Sequence, residues 1–201
     1  MKTKIGVYGG TFSPPHVGHI HAVKSFLAAG LVDKLLIIPT CLPPHKEKKD
    51  TASGKDRLEM CRRAFGFSDK IEVSDIEIAR GGKSYTAETL RALKTEDNEL
   101  YFLTGSDMFL SLPNWREPQA IFKLATIVAL TRECEAEVIE SLSAAAASYR
   151  ERFGARTVVL PVEAIEMSSS LVREKCKNGD DCTSWVPASV LAYIKEKGLY
   201  R

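Results

Sequence analysis

The chain has 201 residues, 28 of them basic and 26 acidic, for a formal net charge of +2. Its 44% hydrophobic content argues for a folded interior, and no apolar run approaches the roughly 20 residues that a bilayer span requires. So balanced a charge provides no basic stripe for nucleic acid; the expected partners are small molecules, any anion being met by local charge. The length suits one domain, residues 1–201, able to bury roughly 70% of its unfolded surface. Five cysteines (Cys41, Cys61, Cys134, Cys176, Cys182) are odd in number and lack C-x-x-C spacing, so thiols of a reducing cytoplasm are expected rather than a disulfide framework. Cys176 and Cys182, flanking the turn Asn178-Gly179-Asp180, are the one pair close in sequence. The first residues enter a strand pattern at once, so no signal peptide is expected.

In chain order, the pattern predicts a strand at 3–8, a glycine-rich turn, and a helix at 17–30 with Ile20, Val23, Leu27 and Leu31 on one stripe and Gly30 at its end. A strand follows at 34–39, where Leu35-Leu36-Ile37-Ile38 is stopped by Pro39. Pro43-Pro44 and the charge run 46–50 read as a loop, followed by a helix at 53–66 and a strand at 71–74. Then come a helix at 85–95, strands at 99–104 and 126–131 with a helix at 118–123 between them, and a helix at 135–152 whose inner stripe is Val138, Leu142, Ala145 and Tyr149. A strand at 156–161 and helices at 169–177 and 187–197 complete the chain, the last two expected to pack on the same domain.

Continuous Ile/Leu/Val runs are the mark of strands covered on both faces. Their alternation with helices predicts an α/β fold, a Rossmann-like open and mostly parallel sheet with helices on both faces and right-handed crossovers. In such sheets ligands bind beyond the carboxyl ends of the strands. Three motifs, at 9–19, 40–46 and 105–107, each follow a predicted strand.

The first, Gly-Gly-Thr-Phe-Ser-Pro-Pro-His-Val-Gly-His, turns a strand into a helix and sets His16 and His19 three residues apart. Backbone N–H groups at a helix start carry the positive end of the dipole and attract phosphate. Two imidazoles on one side of that turn can donate to the same anion. Gly6, Gly9 and Gly10 do not make a dinucleotide fingerprint, and Gly54-Lys55 lacks the glycine and the hydroxyl residue of a P-loop. His16, His19 and His21 lack a Cys or carboxylate at zinc spacing, and His21 turns to another face.

This segment resembles the H-x-G-H signature of the nucleotidyltransferase superfamily, and the whole chain is most similar to its bacterial nicotinate-nucleotide adenylyltransferases. The resemblance includes Pro43-Pro44-His45-Lys46, Ser84-Tyr85-Thr86-Ala87-Glu88-Thr89-Leu90, Gly105-Ser106-Asp107 with Trp115, and Ser168-Ser169-Ser170-Leu171-Val172-Arg173. The family usually has Asp where this chain has Ser13. The resemblance implies transfer of the adenylyl group of ATP to nicotinate mononucleotide, with release of pyrophosphate, in NAD biosynthesis. A phosphate nucleophile is already largely dianionic at neutral pH, so alignment and charge stabilisation should carry the reaction.

His16 and His19 are therefore assigned to the ATP phosphates with Gly9, Gly10, Thr11 and Phe12 around them, the resemblance setting His19 at the α-phosphate. Arg173 and the hydroxyls of Ser168, Ser169 and Ser170, at a predicted helix start, are expected at the β- and γ-phosphates; a plain N-cap explains the serines as well. Gly105 and Asp107 are implied as ribose contacts, and Asp107 as an N-cap is the alternative. Trp115 offers a flat surface to the pyridine ring, and helix-start N–H groups at Tyr85 and Thr86 suit its carboxylate. Lys46 and His45 are candidates to screen the approaching phosphate. Mg2+ is expected to arrive on the ATP phosphates, with no protein metal cage. Pantetheine-phosphate adenylyltransferase, which has T-x-G-H at this place, and a nucleotide sensor without turnover are the competing readings. The sequence leaves a homo-oligomer open.

Overall fold

A computed structural model describes residues 1–42, 51–131, 136–162, 165 and 167–201. In chain order the elements are β1 (Thr3–Gly10), α1 (Val17–Ala28), β2 (Lys34–Pro39), α2 (Gly54–Phe65), β3 (Ile71–Val73), α3 (Ile76–Arg80), α4 (Thr86–Leu93) and β4 (Asn98–Gly105). They continue as α5 (Ser106–Ser111), a 3-10 turn (Leu112–Asn114), α6 (Pro118–Leu124), β5 (Ala125–Thr131), α7 (Ala136–Phe153), β6 (Thr157–Pro161), α8 (Ser169–Asn178) and α9 (Ala188–Lys197). The six strands form one sheet in the order β3-β2-β1-β4-β5-β6. The pairs β1·β4, β4·β5 and β5·β6 are parallel, with Ile5 opposite Leu100, Phe102 opposite Ile127 and Val128 opposite Val158. This is the order of the doubly wound α/β fold, reversing direction of growth between β1 and β4. Among the described residues no helix is long and apolar enough to cross a membrane.

The chain divides into two compact units. The first comprises 1–8, 25–35 and 85–164; the second comprises 9–24, 36–84 and 165–201. In the first, every residue of β5 is buried, Thr126 and Thr131 included, as expected of a strand covered on both faces. Phe109, Phe122 and Tyr149 pack on one another there, and the Tyr149 hydroxyl donates to the Phe109 carbonyl at 2.9 Å. Phe26 and Leu35, both fully buried, close on the backbone of Gly6. In the second unit Phe12, Val23, Ile37, Ile38, Met60, Phe65, Val172, Val190 and Ile194 are buried. α8 and α9 belong to this unit with the 9–24 segment.

All six strands lie where periodicity sets them, to within two residues at either end. Three departures have physical causes. β1 runs through Gly9 and Gly10, so the turn begins only at Thr11. α3, five residues long, and α5, which starts directly on the end of β4, are too short to show a helical period. In α1 the fully buried side chains are Val23 and Phe26, whereas Ile20, Leu27 and Leu31 are half-buried, so the inner stripe is rotated toward Phe26. Helix stops follow the glycines: Gly179 (φ 76°) and Gly198 (φ 60°) end α8 and α9 in the left-handed region. The Cys176 and Cys182 sulfurs are 3.7 Å apart as thiols, and burial pushes the Cys176 thiol up to about 11.

A Cβ at Gly6 would lie 2.6 Å from Phe26 Cε1 and 2.8 Å from Leu35 Cδ1. Gly6→Ala is therefore expected to lower the unfolding free energy by about 2 kcal/mol through overpacking, readable as a shift of the urea midpoint. An unshifted midpoint contradicts this packing.

Candidate functional site

Residues 11–16, between β1 and α1, form a turn that its own backbone cannot satisfy. Phe12 sits at φ 48°, a left-handed conformation that costs a non-glycine residue energy and persists only when its surroundings fix it. The fixing is visible. The Phe12 ring is 1% exposed and packs edge-on against Phe65 and His19, at 5.8 and 5.0 Å between ring centres. Gly10 has no side chain because a Cβ would come within 2.9 Å of that same ring.

The turn's carbonyls are held by side chains from α2 and α8. Arg57, 3% exposed, donates to the carbonyls of Thr11 (2.9 Å), Ala52 (3.1 Å) and Cys41 (3.2 Å). Burial lowers its pKa, but a guanidinium stays protonated. Arg173 donates to the Ser13 carbonyl at 2.9 Å, and the Ser169 hydroxyl to the Pro14 carbonyl at 2.9 Å. Oxygens committed to guanidinium and hydroxyl donors are not available to repel an anion. Positive charge is thereby built in beside the loop.

The two imidazoles stand at the start of α1, their ring centres 3.7 Å apart and the planes tilted by 36°. His16 caps the helix through its carbonyl, which accepts from the N–H groups of His19 (2.9 Å) and Ile20 (3.2 Å). Its own N–H donates to His19 Nδ1 at 3.2 Å. That bond makes Nδ1 of His19 the acceptor and leaves the proton of the neutral ring on Nε2, so His19 presents a donor. His16 is 3% exposed while His19 is half-buried, which makes His19 the more accessible of the two. Gly18 between them has a physical reason: a Cβ there would sit 3.1 Å from the His16 ring. The helix start is less open than sequence suggests, because the Val17 N–H already donates to the Trp185 carbonyl at 2.9 Å.

At α8 the Ser168 hydroxyl accepts from the Leu171 N–H at 3.2 Å, an N-cap bond. The Ser170 hydroxyl accepts from Arg173 Nη2 at 3.1 Å. Both keep a hydroxyl proton that can go to a phosphate oxygen. Ser169 has given its proton to Pro14, so toward a phosphate it offers no donor. His16, His19, Arg173 and the three serines, with Gly9, Gly10, Thr11 and Phe12, all belong to the second unit.

The remaining candidates lie in the first unit. Gly105 is the last residue of β4 and the N-cap of α5. Asp107 is exposed in the first turn of α5 and makes no capping bond, so the N-cap alternative does not hold. Tyr85 is the N-cap of α4 and Thr86 its first residue. Trp115 is half-buried against Phe102, and its Nε1 donates to the Ser111 hydroxyl at 3.1 Å. Arg116, which the sequence reading passed over, places its guanidinium 4.2 Å from the centre of the Tyr85 ring and joins residues 115–116 to the start of α4. It also lies 3.9 Å from the Glu88 carboxylate. Lys46 and His45 fall outside the described residues. Sequence alone does not single out Arg57, whose only signal is an arginine on the apolar side of α2, one turn before Cys61. Among the described residues no group of three or more His, Cys, Asp or Glu side chains is arranged to hold a metal ion.

Known proteins are similar to this chain in sequence and in fold. The family described as "Cytidylyltransferase-like" matches residues 7–175. A Desulfatibacillum aliphaticivorans protein named "Probable nicotinate-nucleotide adenylyltransferase" is 35% identical over 214 residues, covering 98% of this chain and 99% of that protein. One of the same name from Shouchella clausii (strain KSM-K16) is 37% identical over 199 residues, covering 98% and 96%. The structure of Plasmodium falciparum nicotinic acid mononucleotide adenylyltransferase complexed with APC superposes with a TM-score of 0.77, covering 98% of this chain and 97% of that one. At 16% identity, that likeness speaks for the fold. The chain thus belongs to the cytidylyltransferase-like family, and within it to the nicotinate-nucleotide adenylyltransferases.

Proposed function

We propose that this chain transfers the adenylyl group of ATP to nicotinate mononucleotide, forming nicotinate adenine dinucleotide and pyrophosphate in NAD biosynthesis. The observation that carries the reading is the cluster of donors around residues 11–19: the His19 imidazole, the Arg173 guanidinium and the hydroxyls of Ser168 and Ser170. Such a donor set suits phosphate oxygens. Mg2+ is proposed to enter with the triphosphate as part of the substrate, where it would offset charge on the departing pyrophosphate.

In the reaction, a phosphate oxygen of nicotinate mononucleotide forms a bond to the α-phosphorus while the bond to the bridging α–β oxygen breaks. The mononucleotide phosphate is already ionised, so the chain's task is alignment and the dispersal of negative charge. On this reading His19 donates Nε2–H to the α-phosphate, with His16 beside it. Arg173, Ser168 and Ser170 hold the β- and γ-phosphates, Ser169 acting through the Pro14 carbonyl. In the first unit, Gly105 and Asp107 are assigned to ribose hydroxyls, Trp115 to the pyridine face, and the N–H groups at Tyr85 and Thr86 to the carboxylate of the base. Lys46 and His45 keep a phosphate-screening role on the family pattern alone. The free thiols of the four described cysteines suit a cytoplasmic setting.

His19→Ala is expected to lower kcat by on the order of 100-fold, about 3 kcal/mol of barrier, when pyrophosphate release is followed with both substrates. Turnover at the parent rate contradicts the assignment. A carboxylate is matched by backbone N–H donors, whereas an amide brings an NH2 that meets donors with no acceptor. The enzyme should therefore use nicotinate mononucleotide with a higher kcat/KM than nicotinamide mononucleotide. Equal values, or a preference for the amide, count against this carboxylate site.

A further inference from the structure

We propose that Tyr200 is a positioning residue for the phosphate loop, acting through the hydroxyl of Ser13. The proposal deepens the adenylyl-transfer reading and rests on it for its kinetic consequences.

Ser13 is fully buried, at the middle of the 11–16 turn. Its hydroxyl has two partners: it accepts from the Ala52 N–H at 3.0 Å, and it lies 2.8 Å from the Tyr200 hydroxyl. A serine has one proton and two lone pairs, so it can accept from Ala52 and still bond Tyr200 in either direction. Two distant parts of the chain thereby meet on one oxygen of the loop. The Ser13 carbonyl is meanwhile taken by Arg173, and Arg57 ties the neighbouring Thr11 carbonyl to the carbonyl of that same Ala52. Ser13 is thus fixed at both its main chain and its side chain.

The tail beyond α9 is built to deliver the phenol. Gly198 reverses the chain at φ 60°, the Leu199 N–H bonds back to the Ile194 carbonyl at 3.0 Å, and Tyr200 adopts φ 62°. A left-handed tyrosine is strained and is found where other contacts hold it. Here those contacts include Ser13, and the phenol lies in the field of both Arg173 and Arg57. Burial pushes the phenol well above its ordinary range, so its proton stays in place at any working pH. The side chain at the middle of the loop is therefore the one that meets the tail's hydroxyl. A neutral hydroxyl serves this junction because the neighbouring guanidiniums already have carbonyl partners.

The test compares the parent protein with Tyr200→Phe, Ser13→Ala and the double variant. Phenylalanine keeps the ring and its packing, so only the hydroxyl is lost. Amide hydrogen exchange across residues 11–16 should speed up about tenfold in Tyr200→Phe, while exchange in β4 and β5 stays at the parent rate. With ATP and nicotinate mononucleotide, kcat/KM for ATP should fall by about tenfold, KM for the mononucleotide should hold within about twofold, and the double variant should lose no more than the worse single variant. Parent-rate exchange across 11–16 in Tyr200→Phe, or single losses that multiply in the double variant, overturns the proposal. Were the parent itself to form no dinucleotide, the functional reading would fail, and the exchange comparison would still decide the loop's dependence on Tyr200.

Discussion

The structure depends on one constraint: a turn with a left-handed phenylalanine must have its carbonyls satisfied from outside. Arg57, Arg173 and Ser169 do so, drawing the oxygens of Thr11, Ser13 and Pro14 onto donors from α2 and α8. The same bonds that fix the backbone also load positive charge beside it and keep carbonyl dipoles occupied. The bonds that complete the fold of the turn are therefore the ones that set its electrostatics. Arg57 lies 3% exposed among carbonyls, and its charge matters as the donor that makes the turn possible, with no need to touch a ligand.

Packing then determines where the imidazoles stand. Gly10 and Gly18 are spaces reserved for rings, the first for Phe12 and the second for His16. Phe12 in turn abuts His19, so the strained residue and the accessible imidazole are mechanically joined. The His16 N–H then selects the His19 tautomer that presents a donor at Nε2. Glycine spacing in this segment follows from side-chain volume at least as much as from backbone approach to phosphate. Gly9 illustrates the difference, because a Cβ there meets nothing closer than 4.0 Å.

Most of the fold was legible because strands covered on both faces write mainly apolar runs, as Ile127-Val128-Ala129-Leu130 does within the fully buried β5. The serine cap of α8 was legible too, since capping chemistry is local. What escaped was non-local. Arg57 reaches Thr11 across 46 residues and Tyr200 reaches Ser13 across 187, and no window of sequence shows such pairs. α3 and α5 escaped for the opposite reason, being shorter than two turns. At the candidate site, residue types were readable while their division of labour was not. Ser168, Ser169 and Ser170 look alike in sequence, yet one caps, one bonds Pro14 and one receives Arg173.

This externally braced turn, with His19 and Arg173 beside it, is proposed to hold a triphosphate. A crystal structure of the protein with Mg2+ and a non-hydrolysable ATP analogue tests it most directly. The account predicts α-phosphate oxygens within hydrogen-bond distance of His19 Nε2, at about 3 Å, and terminal phosphates on the Arg173 and Ser170 side. Polyphosphate bound away from both the imidazole and the guanidinium would contradict it.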